Sequence, residues 1–215
     1  HLGALGVPER KLIFCGLPPM CRTDGDPRRF HETQGISEEN LTVLFLGRRD
    51  EGKGYPALLK AWPVVLQDCP RAVLLLAGPG GSEYESLRAA LPAESLRDLG
   101  VPDEFGKADA LAACDVFCLP SSHEAFGIAY VEAWSYGKPV ICGLAPACRE
   151  LIEDGVTGVW ADQDPPSLAK RIVSLLQQPE LRGRLGQEGR ARQQRDFTAE
   201  NVARIHLRAL GDVPN

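Results

Sequence analysis

The stretch Leu41–Gln67 reads LTVLFLGRRDEGKGYPALLKAWPVVLQ. It opens with a short apolar run, passes through a polar, glycine-rich turn, and closes with apolar residues at helical spacing from Tyr55 to Gln67. A run buried on both faces, followed by a helix, is the repeating unit of a parallel sheet covered by helices. The unit recurs. Ala72–Ala77 (AVLLLA) leads into Gly78-Pro79-Gly80-Gly81 and a helical pattern over Glu83–Leu91. Val116–Leu119 follows a helix around Ala108–Ala113, and Val140–Cys142 follows one around Ile128–Tyr136. Thr157–Trp160 reads as an edge strand, and Leu96–Val101 as a short, polar one. The expected fold is α/β: a Rossmann-like parallel sheet flanked by helices.

Beyond the sheet the chain reads as helix: Pro166 to Gln178, Pro179 to about Arg195, and a last helix to Leu210 with Thr198 as its N-cap. Before Leu41 the periodicity disappears. Lys11–Cys15 suggests a short strand, and proline and glycine punctuate the residues from Gly16 to Pro27. The expected organisation is residues 1–40 as a linker or the end of a preceding domain, 41–195 as the ligand-binding domain, and 196–215 as a C-terminal crossing helix.

Composition narrows the function. Of 215 residues, 44% are hydrophobic and 25% charged, which is ordinary for a globular chain. The net charge of −5 argues against a nucleic-acid binder, and no apolar run approaches the roughly 20 residues of a membrane span. The basic cluster Arg182, Arg184, Arg190, Arg192 and Arg195 alternates with acids and amides and reads as a solvated helix face. Seven cysteines include no CxxC pair and share no metal-ligand spacing with the four histidines. No metal site is expected, and a reducing, cytoplasmic compartment is.

In such a sheet, ligands bind beyond the carboxyl ends of the strands. Three loops follow strands. Gly47–Gly54 offers Arg48 and Lys53 to a phosphate, but it is one residue short of a P-loop, because Gly54 stands where Ser or Thr would hold Mg²⁺. No strand ending in Asp supplies a second metal ligand, so a triphosphatase is a poor reading. Gly78–Gly81 lacks the third glycine of a dinucleotide fingerprint, Glu83 standing in its place, and reads as a tight turn. The third loop, Pro120–Trp134 (PSSHEAFGIAYVEAW), says most. Glu124 lies in the turn, Gly127 at the helix entrance and Glu132 on an otherwise apolar helix. A carboxylate there is costly without partners, and vicinal sugar hydroxyls would satisfy it. A capping Glu124 and an exposed Glu132 are the plainer alternatives. His123 reads as a turn residue, and Asp109 and Asp115 as structural supports.

The segment Pro120–Trp134, continuing through Gly137-Lys138-Pro139-Val140, resembles the EX7E signature of retaining glycosyltransferases of the group 1, family 4 type, whose GT-B fold has two facing Rossmann-like domains. Glu124 and Glu132 have its seven-residue gap. Arg48 and Lys53 resemble its Arg–Lys pair, and Glu150–Gly158 its downstream run. One departure is Pro146-Ala147, where the family has a Gly-Gly turn.

The resemblance implies that the chain is the C-terminal donor-binding half of a GT-B enzyme. It implies a nucleotide-sugar donor, UDP- or GDP-linked, from which a hexosyl group passes with retention of configuration and without a metal or other cofactor. Arg48 and Lys53 would bind the donor phosphates and Glu132 the ribose. Glu124 would be catalytic and face the donor sugar beside Phe126 and Gly127. The acceptor would meet a missing N-terminal domain of the same enzyme, without which the isolated chain is expected to be inactive. A membrane-associated acceptor is compatible with this, although no membrane span is expected here. The helix 198–210 is expected to show an exposed apolar stripe along Val202, Ile205, Leu207 and Leu210. The competing reading is a non-catalytic nucleotide-sugar-binding or regulatory module on the same fold.

Overall fold

Strands β1 (Leu41–Leu46), β2 (Ala72–Ala77), β3 (Leu96–Gly100), β4 (Val116–Leu119), β5 (Val140–Cys142) and β6 (Val159–Trp160) pair in parallel, in the order β3-β2-β1-β4-β5-β6. This is the doubly wound arrangement that the alternating pattern predicts, seen in a computed structural model that describes residues 16–211. The order reverses between β1 and β4, so the loops after these two strands face each other at the switch point.

The helices are α1 (Pro27–Gln34), α2 (Tyr55–Asp68), α3 (Glu85–Ala89), α4 (Glu104–Ala113), α5 (Ile128–Ser135), α6 (Pro146–Leu151), α7 (Pro165–Gln177), α8 (Pro179–Asp196) and α9 (Ala199–Leu210). Central strands are apolar on both faces: all six residues of β2 and all four of β4 are buried. Trp62 of α2 and Trp134 of α5 fill the core. Fully burying one such large apolar side chain contributes roughly 1.5–3 kcal/mol. Asp115, expected as a support, accepts from both the backbone N–H (2.8 Å) and the hydroxyl (3.1 Å) of Thr42, tying β4 to β1. The six cysteines among the described residues are free, and burial pushes the Cys114 thiol up to about 12, in keeping with small buried hydrophobes.

Three expectations need correction. Lys11–Cys15 lies outside the described residues, but the segment read as linker carries α1. Asp26 caps it by accepting from the Arg28 and Arg29 N–H groups, and Phe30 is buried in the core. The helical stretch Glu83–Leu91 shortens to a 3-10 turn over Ser82–Tyr84 followed by α3, because Leu91 leads into Pro92. On α9 the stripe is split: Val202 is buried, whereas Leu207 and Leu210 are exposed.

Helix α1 is held on α4 by Arg29, whose Nε and Nη2 donate to the Asp109 carboxylate at 2.7 and 2.6 Å, while the Asp26 N–H donates to it at 2.7 Å. The Arg29 guanidinium thereby holds the Asp109 carboxyl below the usual carboxylate range. A pKa lowered in the folded state stabilises the fold in full above the unfolded value of about 4 and fades as pH falls through the lowered one. Asp109→Asn is expected to lower the melting midpoint by a few degrees at neutral pH. The gap to the parent should narrow below about pH 4, where the parent carboxylate protonates as well. Thermal melts of both proteins across that range check it.

Candidate functional site

The site lies at the carboxyl ends of β1 and β4. The loop after β1 is tied to its neighbours on both sides. Toward β2, the Arg49 N–H donates to Pro79 O at 2.9 Å, and Arg49 and Gly80 form a parallel bridge. The Arg49 side chain is 8% exposed and reaches β3. There Nη1 donates to Asp98 at 2.9 Å, with a second bond from Nη2, which also donates to Leu76 O at 3.0 Å. Burial alone would raise the Asp98 pKa, but bonds from Arg49 and the Gly100 N–H, with the charges of Arg49 and Arg88, hold it below the ordinary value. Toward β4, the Ser122 N–H donates to Gly52 O at 2.9 Å. The Ser121 hydroxyl stands 3.0 Å from Gly52 O and 2.9 Å from His123 O.

Between these ties the loop presents two cations. Arg48 is 72% exposed and touches the Asp50 carboxylate at 3.3 Å. Lys53 precedes α2 by two residues, its N–H held by Asp50 Oδ1 at 2.9 Å. The side chain of Lys53 crosses to the next loop, where Nζ meets Glu124 Oε1 at 2.5 Å and His123 O at 3.4 Å. Both side chains of this ion pair are largely buried, at 17% and 9% exposed.

The loop after β4 is pinned at its start by Tyr130, whose hydroxyl donates to Leu119 O at 2.5 Å. It turns into α5 at Gly127, the N-cap, just after Phe126, whose ring packs edge-on against Phe197 at 5.6 Å between centroids. His123 lies in this loop, where Nδ1 stands 2.9 Å from the Ser122 hydroxyl. Glu132, one turn into α5, is 2% exposed and meets Lys107 Nζ of α4 at 2.6 Å.

The structure thus brings Lys53 and Glu124 into contact and sets Arg48, Phe126 and Gly127 on the same pair of loops. Glu132 is buried rather than exposed, and it carries a cationic partner that the motif does not announce. The signal for Lys107 was present: a carboxylate on a buried helix face needs a cation, and Lys107 is the single lysine or arginine within Glu104–Ala113. The ties from Arg49 to Asp98 and through Ser121 were also missed, since they join residues far apart in sequence. Chemically, two cations and two carboxylates at the loop tips neutralise each other without a ligand. An anion arriving at Arg48 and Lys53 would find donors already positioned. Among the described residues no group of His, Cys, Asp and Glu could hold a metal ion, and no helix is long and apolar enough to cross a membrane.

Known proteins resemble the chain in sequence and in fold. The sequence model of the family described as glycosyl transferases group 1 matches residues 26–192, so it takes in the whole of α1. The phosphatidyl-myo-inositol mannosyltransferase of Mycobacterium tuberculosis is 36% identical over 187 residues, covering 82% of this chain and 50% of that protein. The GDP-mannose-dependent monoacylated alpha-(1-6)-phosphatidylinositol monomannoside mannosyltransferase of Corynebacterium glutamicum is 31% identical over 186 residues, covering 83% and 49%. Among solved structures, Anabaena HepE in complex with UDP and glucose superposes with a TM-score of 0.76 at 23% identity, over 86% of this chain and 52% of that one. The chain spans about half the length of the curated relatives it matches.

Proposed function

Because the chain belongs to the group 1 glycosyl transferases, we propose that it binds the nucleotide-sugar donor of a retaining hexosyltransferase. Two of its relatives are named mannosyltransferases, one of them GDP-mannose-dependent. The reading is therefore a mannosyl group carried on GDP. The observation that carries it is the Lys53–Glu124 contact across the β1 and β4 loops at the switch point of the sheet.

In this reading Arg48 and Lys53 take the donor diphosphate and stabilise its negative charge as the bond to the sugar breaks, the task a metal ion performs elsewhere. Glu124 faces the sugar, with the backbone of Phe126 and Gly127 beside it. Glu132 accepts from the ribose hydroxyls while Lys107 compensates its charge. The backbone N–H that Pro146 lacks is not needed in this arrangement, since both cations come from the β1 loop. The acceptor belongs to a second domain, so the chain alone is expected to bind donor without transferring sugar.

Titration of GDP and UDP into the chain tests this. GDP should bind in the micromolar range and more tightly than UDP. Absence of a measurable heat from either at millimolar concentration would sink the donor-site reading, and a preference for UDP would overturn the choice of nucleotide.

A further inference from the structure

The loop after β6 contributes a residue that neither the motif nor the family resemblance points to. Gln163 stands where the chain leaves the edge strand for α7. Its carboxamide nitrogen donates to two carbonyl oxygens on different loops: Glu51 O at 3.1 Å and Pro120 O at 2.8 Å. Glu51 lies two residues before Lys53, and Pro120 four residues before Glu124. One NH₂ group therefore spans the two loops that carry the Lys53–Glu124 contact.

The seam it closes is tight. Gly54, the residue after Lys53, has φ +76, and a Cβ there would stand 2.5 Å from Pro120 O and 3.1 Å from Gln163 Nε2. The chain thus keeps Gly54 bare where the loops and the carboxamide converge. On the other side of the seam, Ser121 and Ser122 hold Gly52 O. Unlike Ser121, which is fully buried, Gln163 is half-buried at the surface, so its bonds can be removed without opening the core.

We propose that Gln163 is a positioning residue for the donor diphosphate: by bridging Glu51 O and Pro120 O it sets the spacing between Lys53 and Glu124. This rests on the donor-site reading above. Carbonyl oxygens facing one another repel, and the two N–H groups of one carboxamide are what hold them together here. A methionine of similar length leaves the carbonyls without that donor. A glutamate puts a carboxylate against them, and the loops part further. Either change should shift Lys53 and leave the ribose and base side, anchored through Glu132 on α5, in place.

The test compares diphosphate with monophosphate. GDP, GMP, UDP and UMP are titrated into the chain and into Gln163→Met and Gln163→Glu, with thermal melts of all three proteins. Losing two hydrogen bonds at the phosphate loop should weaken the preferred diphosphate by about tenfold in Gln163→Met, and more in Gln163→Glu. Affinity for the matching monophosphate should stay within about twofold, because a positioning effect at the outer phosphate does not reach it. A merely structural role would lower both affinities together with the melting midpoint. That outcome, or an unchanged ratio of diphosphate to monophosphate affinity, overturns the proposal. If one variant fails to fold, the ratio measured on the other decides. If the unaltered chain binds no nucleotide, the donor-site reading falls and the proposal with it. If it binds and the ratio holds in the variants, the positioning role alone falls.

Discussion

Replacing Glu124 with glutamine is expected to lower the transfer rate of the two-domain enzyme by about two to three orders of magnitude while leaving its grip on nucleoside diphosphate intact or tighter. The two effects have separate causes. Glu124 is largely buried and takes Lys53 Nζ at 2.5 Å. Without donor, the carboxylate neutralises the cation that the proposal assigns to the diphosphate. Glutamine keeps the shape and removes the charge, so Lys53 answers to the phosphates alone. In the proposed role the transition state would lose the carboxylate beside the sugar, and that loss would fall on kcat. Steady-state kinetics on the two-domain enzyme, paired with GDP titration of this chain, reads both quantities. A variant that transfers sugar at the parent rate would remove Glu124 from the catalytic machinery. An unaltered two-domain enzyme that binds donor without turning over would favour the non-catalytic module.

The largest loss of stability should come from Gly143→Ala. This glycine follows β5, where the backbone passes directly over Ser121. A Cβ at Gly143 would lie 1.9 Å from Ser121 O and 2.5 Å from its carbonyl carbon and its nitrogen. These are backbone atoms at the end of a core strand, and no side-chain rotation relieves the overlap. Overpacking of this kind costs about 3 kcal/mol. For a domain of this size that corresponds to a fall of roughly 6–12 °C in the melting midpoint. The site should suffer with it, because the displaced Ser121 is the residue whose hydroxyl lies between Gly52 O and His123 O. A melt within about 2 °C of the parent would show that the loops after β4 and β5 can separate without penalty.

The central strands and the helices between them were legible because a fully buried strand has to be a short apolar run, as Thr42–Leu46, Ala72–Ala77 and Val116–Leu119 are. Helix α1 was not. Phe30 is the one buried residue along it, and what holds it in place is a cap from Asp26 and an ion pair to Asp109, about 80 residues away. Its sequence carries no apolar face to read. The site divides in the same way. Glu124, Glu132, Arg48 and Lys53 stand at fixed spacings in short segments, so their pattern is visible. What each touches is not. Lys53 meets Glu124 across 71 positions, Lys107 meets Glu132 across 25, and Gln163 reaches Glu51 across 112. Such pairings follow from the strand order, which no local window contains. The stripe on α9 failed in part for a related reason: only the start of the helix, at Val202, lies on the domain.

The order of the strands also sets which backbone edges of the sheet are left outermost. The most apolar strands, β1, β2 and β4, are flanked on both sides within the sheet. Among the described residues, the two margins fall to the least adhesive segments. One is β3, where Arg97 and Asp98 interrupt the apolar pattern, and the other is β6, two residues long. A charged margin and a truncated one give a neighbouring chain little to zip onto, which is how open sheets avoid growing edge to edge into aggregates. The polar residues that make Leu96–Gly100 a weak strand signal also make it a poor template for a neighbouring strand.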